Sequence, residues 1–153
     1  MTEAKEEDRV LVDRLMQLYL HDFSAFDGRQ LSDDGRFDYP WLDAYWSDDD
    51  RHAYVLRVDG RPAGFALVRL GDPTEMAEFF VVRSHRRSGV GASAAREVFA
   101  SHHGDWRVSE VAGNPAAVAF WRSVIPVDFA EHVLDDGTTE QRFTIGAART
   151  ART

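Results

Sequence analysis

The stretch EFFVVRSHRRSGVGASAAREVF, residues 78–99, holds the densest group of side chains able to do chemistry. Glu78 is the one ionisable residue in a strand-like run that continues as Phe79-Phe80-Val81-Val82. Burial in such a run raises a carboxyl pKa and makes Glu78 a candidate general base, acting directly or through a water. An arginine or amides of a neighbouring strand would account for the same carboxylate equally well. The run then gives way to Arg86-Arg87-Ser88-Gly89-Val90-Gly91-Ala92. Glycines let a backbone approach an anion closely, and successive amides at a helix start face it. The arginines add long-range attraction, so the chemistry implied is the holding of a phosphate or diphosphate.

Several kinds of loop hold phosphates. A Walker A loop needs a lysine for the terminal phosphates, and this stretch has none. Gly89-Val90-Gly91-Ala92-Ser93-Ala94 formally fits the dinucleotide pattern GxGxxA, with Glu110 downstream as the ribose-binding acid. That motif turns tightly off its strand, however, whereas Arg83–Ser88 intervene here. It also belongs to repeated βαβ units, which this chain lacks.

The flanking elements show what must position the loop. Apolar residues Val10, Leu11, Leu15, Leu18 and Tyr19 predict an amphipathic helix over Val10–His21, after a charged and frayed start. Asp22–Asp50 interleaves aromatic residues with aspartates, is broken by Gly28, Gly35 and Pro40, and holds a short helix at Trp41–Ser47. It either packs on the core or walls a pocket in which aromatic faces and carboxylates receive a cation, with Tyr19, Phe23, Tyr39 and Trp41 as the pocket residues. His52–Val58, Ala63–Leu70 and Met76–Val82 read as an antiparallel meander around Asp59-Gly60 and Gly71-Asp72-Pro73. A helix over Gly89–His103 and a strand over Trp106–Val111 follow. Asn114-Pro115 then opens a helix in the favoured way, asparagine as cap and proline in the first turn. Val127–Leu134 and Gln141–Ile145 form a last hairpin, and the tail 148–153 is polar and expected to be disordered.

At 153 residues, 44% apolar and 29% charged, the chain suits a single soluble domain over 1–147, with its motif region at 76–125. No stretch approaches the roughly 18 apolar residues of a membrane span, and the acidic start is unlike a signal peptide. The absence of cysteine excludes disulfides and thiolate metal sites and makes a cytoplasmic location the expectation. The six histidines show no ligand spacing, so no metal is expected. A net charge of −8 argues against nucleic acid as a partner and suits a cationic small molecule.

Taken together, Arg86–Ala92 fits [QR]xxGx[GA], and Asn114-Pro115-Ala116-Ala117-Val118-Ala119-Phe120-Trp121 fits N-x-x-A-x-x-F-[YW]. With the preceding strand and the strand between the helices, the chain resembles the GNAT N-acetyltransferase family from about Ala53 to Ile145. The resemblance implies an α/β (α+β) fold whose mixed, mostly antiparallel sheet splays open, flanked by helices, around the pantetheine arm of acetyl-CoA. It implies that the backbones of Phe80 and Val82, around Val81, pair with that arm, and that an N–H near Phe80 polarises the thioester carbonyl. The amides of Arg87–Ala92 would hold the diphosphate, with Arg86 beside them, and Asn114 and Phe120 would border the thioester. The implied reaction is direct acetyl transfer to an amine, most simply a small cationic one, in a ternary complex. A non-catalytic acyl-CoA sensor is the alternative. Trp121 stands where many members carry a tyrosine that protonates the leaving thiolate, and Arg83 stands where proline is common. Such proteins are often homodimers. No strand is evident before the first helix, where the family has one.

Overall fold

The computed structural model describes residues 1–147; the tail expected to be disordered lies outside the described residues. Its centre is a seven-stranded sheet in the order β1-β2-β3-β4-β5-β7-β6. The strands are β1 (Thr2–Glu3), β2 (Arg51–Val58), β3 (Arg61–Arg69), β4 (Thr74–Val81), β5 (Gly104–Glu110), β6 (Ala130–Val133) and β7 (Thr139–Ile145). The helices are α1 (Arg9–Asp27), α2 (Ala44–Ser47), α3 (Val90–Ser101) and α4 (Pro115–Val124). Every strand pair is antiparallel except β4 with β5.

The two faces of the sheet bury different helices. Val12, Leu15, Met16 and Leu20 of α1 pack with Val55, Phe65, Leu67 and Phe80 on one face. Ala95, Val98 and Phe99 of α3 and Trp121 and Val124 of α4 pack with Val68, Met76, Trp106 and Phe143 on the other. Helix α1 runs six residues past the expected end because Gly28, at φ 66°, closes it by donating its N–H to Ser24 O. Its buried stripe also differs from the sequence expectation. Val10 and Leu18 face solvent, and the helical period is anchored instead on Val12, Leu15, Met16 and Leu20.

The charged start is ordered rather than frayed. Residues Thr2 and Glu3 pair with Val55 and Tyr54, and the N-terminal ammonium meets Glu97 Oε2 at 2.7 Å. This is the first strand that the sequence failed to reveal. Its two residues are polar and too few to show any alternation.

The defining feature is the separation of β4 from β5. They pair in parallel only at Thr74↔Trp106 and Glu75↔Arg107. Beyond that, β4 continues along β3 to Gly64↔Val81, and β5 continues along β7 to Glu110↔Thr139. The carboxyl ends of the two strands thus part while each keeps a partner on its other edge. Strand β4 also carries a bulge. Leu67 faces Glu78 and Val68 faces Met76, so Ala77 has no partner. The extra residue reverses the alternation, letting Met76 enter the α3–α4 core while Glu78 and Phe80 face α1.

The β3–β4 approach is close enough to require a glycine. A Cβ on Gly64 would lie 2.0 Å from the Phe80 carbonyl oxygen. Gly64→Ala is therefore expected to cost ~2 kcal/mol or more, read as a lower melting temperature. Gly146→Ala, where a Cβ would meet nothing within 4 Å, should melt like the wild type.

Candidate active site

The bulged end of β4, the loop after it and the first turns of α3 and α4 meet at the open gap. Backbone direction decides which groups face it. Val82 N–H donates to Ala63 O at 2.8 Å, and the Phe80 carbonyl points at Gly64 on β3. Since in-plane groups alternate along a strand, Phe80 and Val82 turn their amides toward β3. The expectation that their backbones face the gap is corrected by one residue: Phe79 and Val81 do so. Which edge of a strand is paired at a given residue has no sequence signature.

Past the strand, Arg83–His85 makes a single tight helical turn, Arg87 takes φ 61° and Gly89 takes φ 81° at the cap of α3. The cap residue carries no side chain, so no protein group competes for the first-turn amides of α3, which have no intrahelical acceptor. Gly91 is needed for space: a Cβ there would stand 3.2 Å from Val81 Cγ2 and 3.6 Å from the Phe120 ring. Ser88 Oγ is engaged with His85 O at 2.6 Å.

Arg86 does not join this cradle. Its guanidinium donates to Asp22 Oδ2 of α1 at 2.7 Å and to the Val81 carbonyl at 2.8 Å, and it lies over the Phe80 ring. Arg83 takes the other Asp22 oxygen at 2.6 Å. Both arginines thus tie the loop to α1. Asn114 caps α4 by accepting from Ala117 N at 3.2 Å. Phe120 stacks on Phe79 with ring centroids 5.7 Å apart, at the mouth of the gap. Trp121 is buried among Phe79, Phe99 and Phe120.

On the α1 face, Glu78 is held between two tyrosines. The Tyr19 hydroxyl donates to Oε2 and the Tyr39 hydroxyl to Oε1, the latter at 3.2 Å. Burial pushes the Glu78 carboxyl above its usual range, and the two tyrosine hydrogen bonds and the charge of Arg29 hold it back. Burial likewise pushes both tyrosine hydroxyls well up, so they remain donors. Phe23 packs on Tyr19, centroids 5.4 Å apart. A cavity of about 220 Å³ opens beside this group, lined by Tyr39, Trp41, Tyr45, Arg51, Arg69, Glu75 and Ala77. Two of the four residues expected in the pocket, Tyr39 and Trp41, line it, and Tyr19 and Phe23 lie on α1 beside Glu78. Arg51, Arg69 and Glu75 were missed, because side chains at strand ends carry no pattern that marks them as pocket-lining.

Glu110 is a second buried acid. It shares a face with Trp106 and Val108, inside the α3–α4 side of the sheet, so it is not placed to bind a ribose. Neither of its oxygens has a hydrogen-bond partner, and Gln141 approaches without closing one. Burial pushes it up to about 7, and the charge of Glu131 adds to the rise.

The sequence matches the Acetyltransferase (GNAT) family over residues 12–124. The chain belongs to that family. No curated protein matches it significantly. Among solved structures it is similar to an acetyltransferase from Thermus thermophilus, with a TM-score of 0.70, 18% identity, and 94% of this chain and 95% of that chain covered. Spermidine N-acetyltransferase from Vibrio cholerae, in complex with CoA and spermine, gives 0.66 and 10%, covering 93% and 92%. The ribosomal-protein-S18-alanine N-acetyltransferase of Escherichia coli gives 0.61 and 15%, covering 99% and 97%. At these identities the likeness is one of fold. Among the described residues no helix is long and apolar enough to cross a membrane, and no cluster of three metal-ligating side chains occurs.

Two pH effects follow. Because the tyrosine hydrogen bonds lower the Glu78 pKa, Tyr39→Phe should raise it, moving the midpoint of the Glu78 carboxyl signal in a carbon-detected NMR titration to higher pH. An unmoved midpoint would remove Tyr39 from that role. For Glu110, a folded pKa above the ordinary 4.5 means that its stabilising contribution is complete below that value and is lost as pH rises through about 7. Glu110→Gln, which mimics the protonated acid, should raise the melting temperature by several degrees at about pH 8 and by little at about pH 5.

Proposed function

We propose that the protein is an acetyl-CoA-dependent N-acetyltransferase that moves an acetyl group directly to an amine held beside Glu78. The observation that carries this reading is the parting of β4 from β5 directly beside a partly buried carboxylate. The gap offers the in-plane groups of Phe79 and the N–H of Val81, whose carbonyl is held by Arg86, to the amides of a pantetheine arm. Arg87–Ala92 offer unpaired amides and a left-handed turn to a diphosphate, which is why glycine stands at positions 89 and 91. Asn114 and Phe120 border the thioester end.

Glu78 takes a proton from the acceptor ammonium and frees its lone pair. The amine nitrogen then attacks the thioester carbonyl carbon, whose oxygen takes up charge against a main-chain N–H on the open edge of β4, at Phe79 or Val81. The C–N bond forms, the C–S bond breaks, and the second proton, shed by the nitrogen as it becomes an amide, passes through water to the departing thiolate, yielding the amide and free CoA. Holding both reactants in one cleft supplies much of the acceleration. The raised pKa of Glu78 suits a base, because a more basic carboxylate accepts a proton more readily.

One observation favours a second reading, a sensor that binds acyl-CoA without turnover. Trp121 is a core residue and has no acidic proton to give the thiolate. A thiol-release assay with acetyl-CoA over an amine panel separates the two. Turnover is expected, and Glu78→Gln should lower kcat by about a hundredfold or more while CoA affinity by calorimetry holds. Gly89→Glu should abolish CoA binding. Binding without thiol release for any amine would favour the sensor, and no CoA binding by the wild type would sink both.

A further inference from the structure

The cavity beside Glu78 is cationic in a protein of net charge −8. None of the nine aspartates of residues 22–50 lines it, and three are paired with arginines elsewhere: Asp22 with Arg83 and Arg86, Asp27 with Arg29, and Asp43 with Arg9. The cavity itself is lined by Arg51 and Arg69, with Glu75 as its one carboxylate. Glu75 is shared between Arg69, at 2.8 Å, and Arg107. Arg51 has no carboxylate partner among the described residues, and its Nε is buried without a hydrogen-bond acceptor. Its guanidinium carbon lies over the Tyr45 ring, 5.5 Å from the centroid.

A partly buried guanidinium that lacks a carboxylate partner and leaves its Nε without an acceptor is costly, and a bound carboxylate relieves that cost. The planar fork matches a carboxylate bidentately. One residue joins the two sites: Tyr39 lines the cavity and donates its hydroxyl to Glu78. A void of about 150 Å³ holds a benzene ring, so about 220 Å³ has room for a small amino acid.

We propose that the acceptor is a small zwitterionic amine, an amino acid or close analogue, whose carboxylate docks on Arg51 while its ammonium reaches Glu78. This rests on the transfer reading above and narrows the acceptor from a purely cationic amine to one carrying an anion. Arg69, paired with Glu75, supplies the second wall and the surplus positive field.

The test is a calorimetric titration of the CoA-loaded protein with free amino acids, their carboxamides and spermine, alongside thiol release with the same compounds. An amino acid should bind at least about tenfold more tightly than its carboxamide, the loss of one charge-assisted pair. Arg51→Gln should erase that preference and raise KM with little change in kcat, leaving CoA affinity and the melting curve intact, and Arg51→Lys should restore part of it. Equal affinity for acid and carboxamide, tighter binding of spermine, or a preference that survives Arg51→Gln overturns the proposal. Selective binding of amino acids without thiol release would keep the Arg51 site and refute only catalysis.

Discussion

Strand β4 is paired along one edge from Glu75 to Val81, around a single bulge, and along the other for only two residues, and the remaining features of the site depend on that asymmetry. A buried edge with unpaired amides is a cost in any sheet, and proteins ordinarily cover or charge such edges. Here the rigidity comes from the β3 side, where Gly64 admits the Phe80 carbonyl at a distance no other residue would allow. The loop after β4 is anchored twice to α1 through Asp22, whose carboxylate, though partly buried, is held below its usual range by Arg86 and Arg83. The open edge is thus held open by its surroundings.

The bulge at Ala77 links this backbone device to the chemistry. Without the extra residue, Glu78 and Met76 would share a face, and one of them would be misplaced. With it, the thioether fills the α3–α4 core and the carboxylate turns to α1, where Tyr19 and Tyr39 meet it. The two tyrosines do opposing work with burial: the low-dielectric setting raises the carboxyl pKa, and two hydroxyl donors counter that rise.

Most of the framework was legible in the sequence because it is written in period and punctuation. The β2–β3–β4 meander, α3, and the Asn114-Pro115 start of α4 all appear where apolar alternation, helical spacing and capping chemistry predict them. Glu78 stood out for a like reason, as a charge in an apolar run. What stayed hidden depends on registers and long-range contacts. The two-residue β1 has no pattern of its own. The one-residue shift from Phe80 and Val82 to Phe79 and Val81 follows from which edge of β4 meets β3. Arg86, which reads as a phosphate group beside Arg87, is drawn away by an aspartate 64 positions earlier in the chain.

The same division explains why the cosubstrate is easier to read than the acceptor. A cradle made of main-chain groups leaves its trace as glycines and a turn, which are local and recur wherever the geometry recurs. The cavity beside Glu78 is made of side chains gathered from the loop before α2, from α2 itself, and from β2, β3 and β4, and nothing local announces their convergence. Composition misleads in that situation. Asp22–Asp50 is rich in acid, yet Asp22, Asp27 and Asp43 are taken up by arginines of the framework, and the pocket wall is left to Arg51 and Arg69. The sign of a pocket is set by which charges remain unpaired after folding, and here the charge left over is a guanidinium.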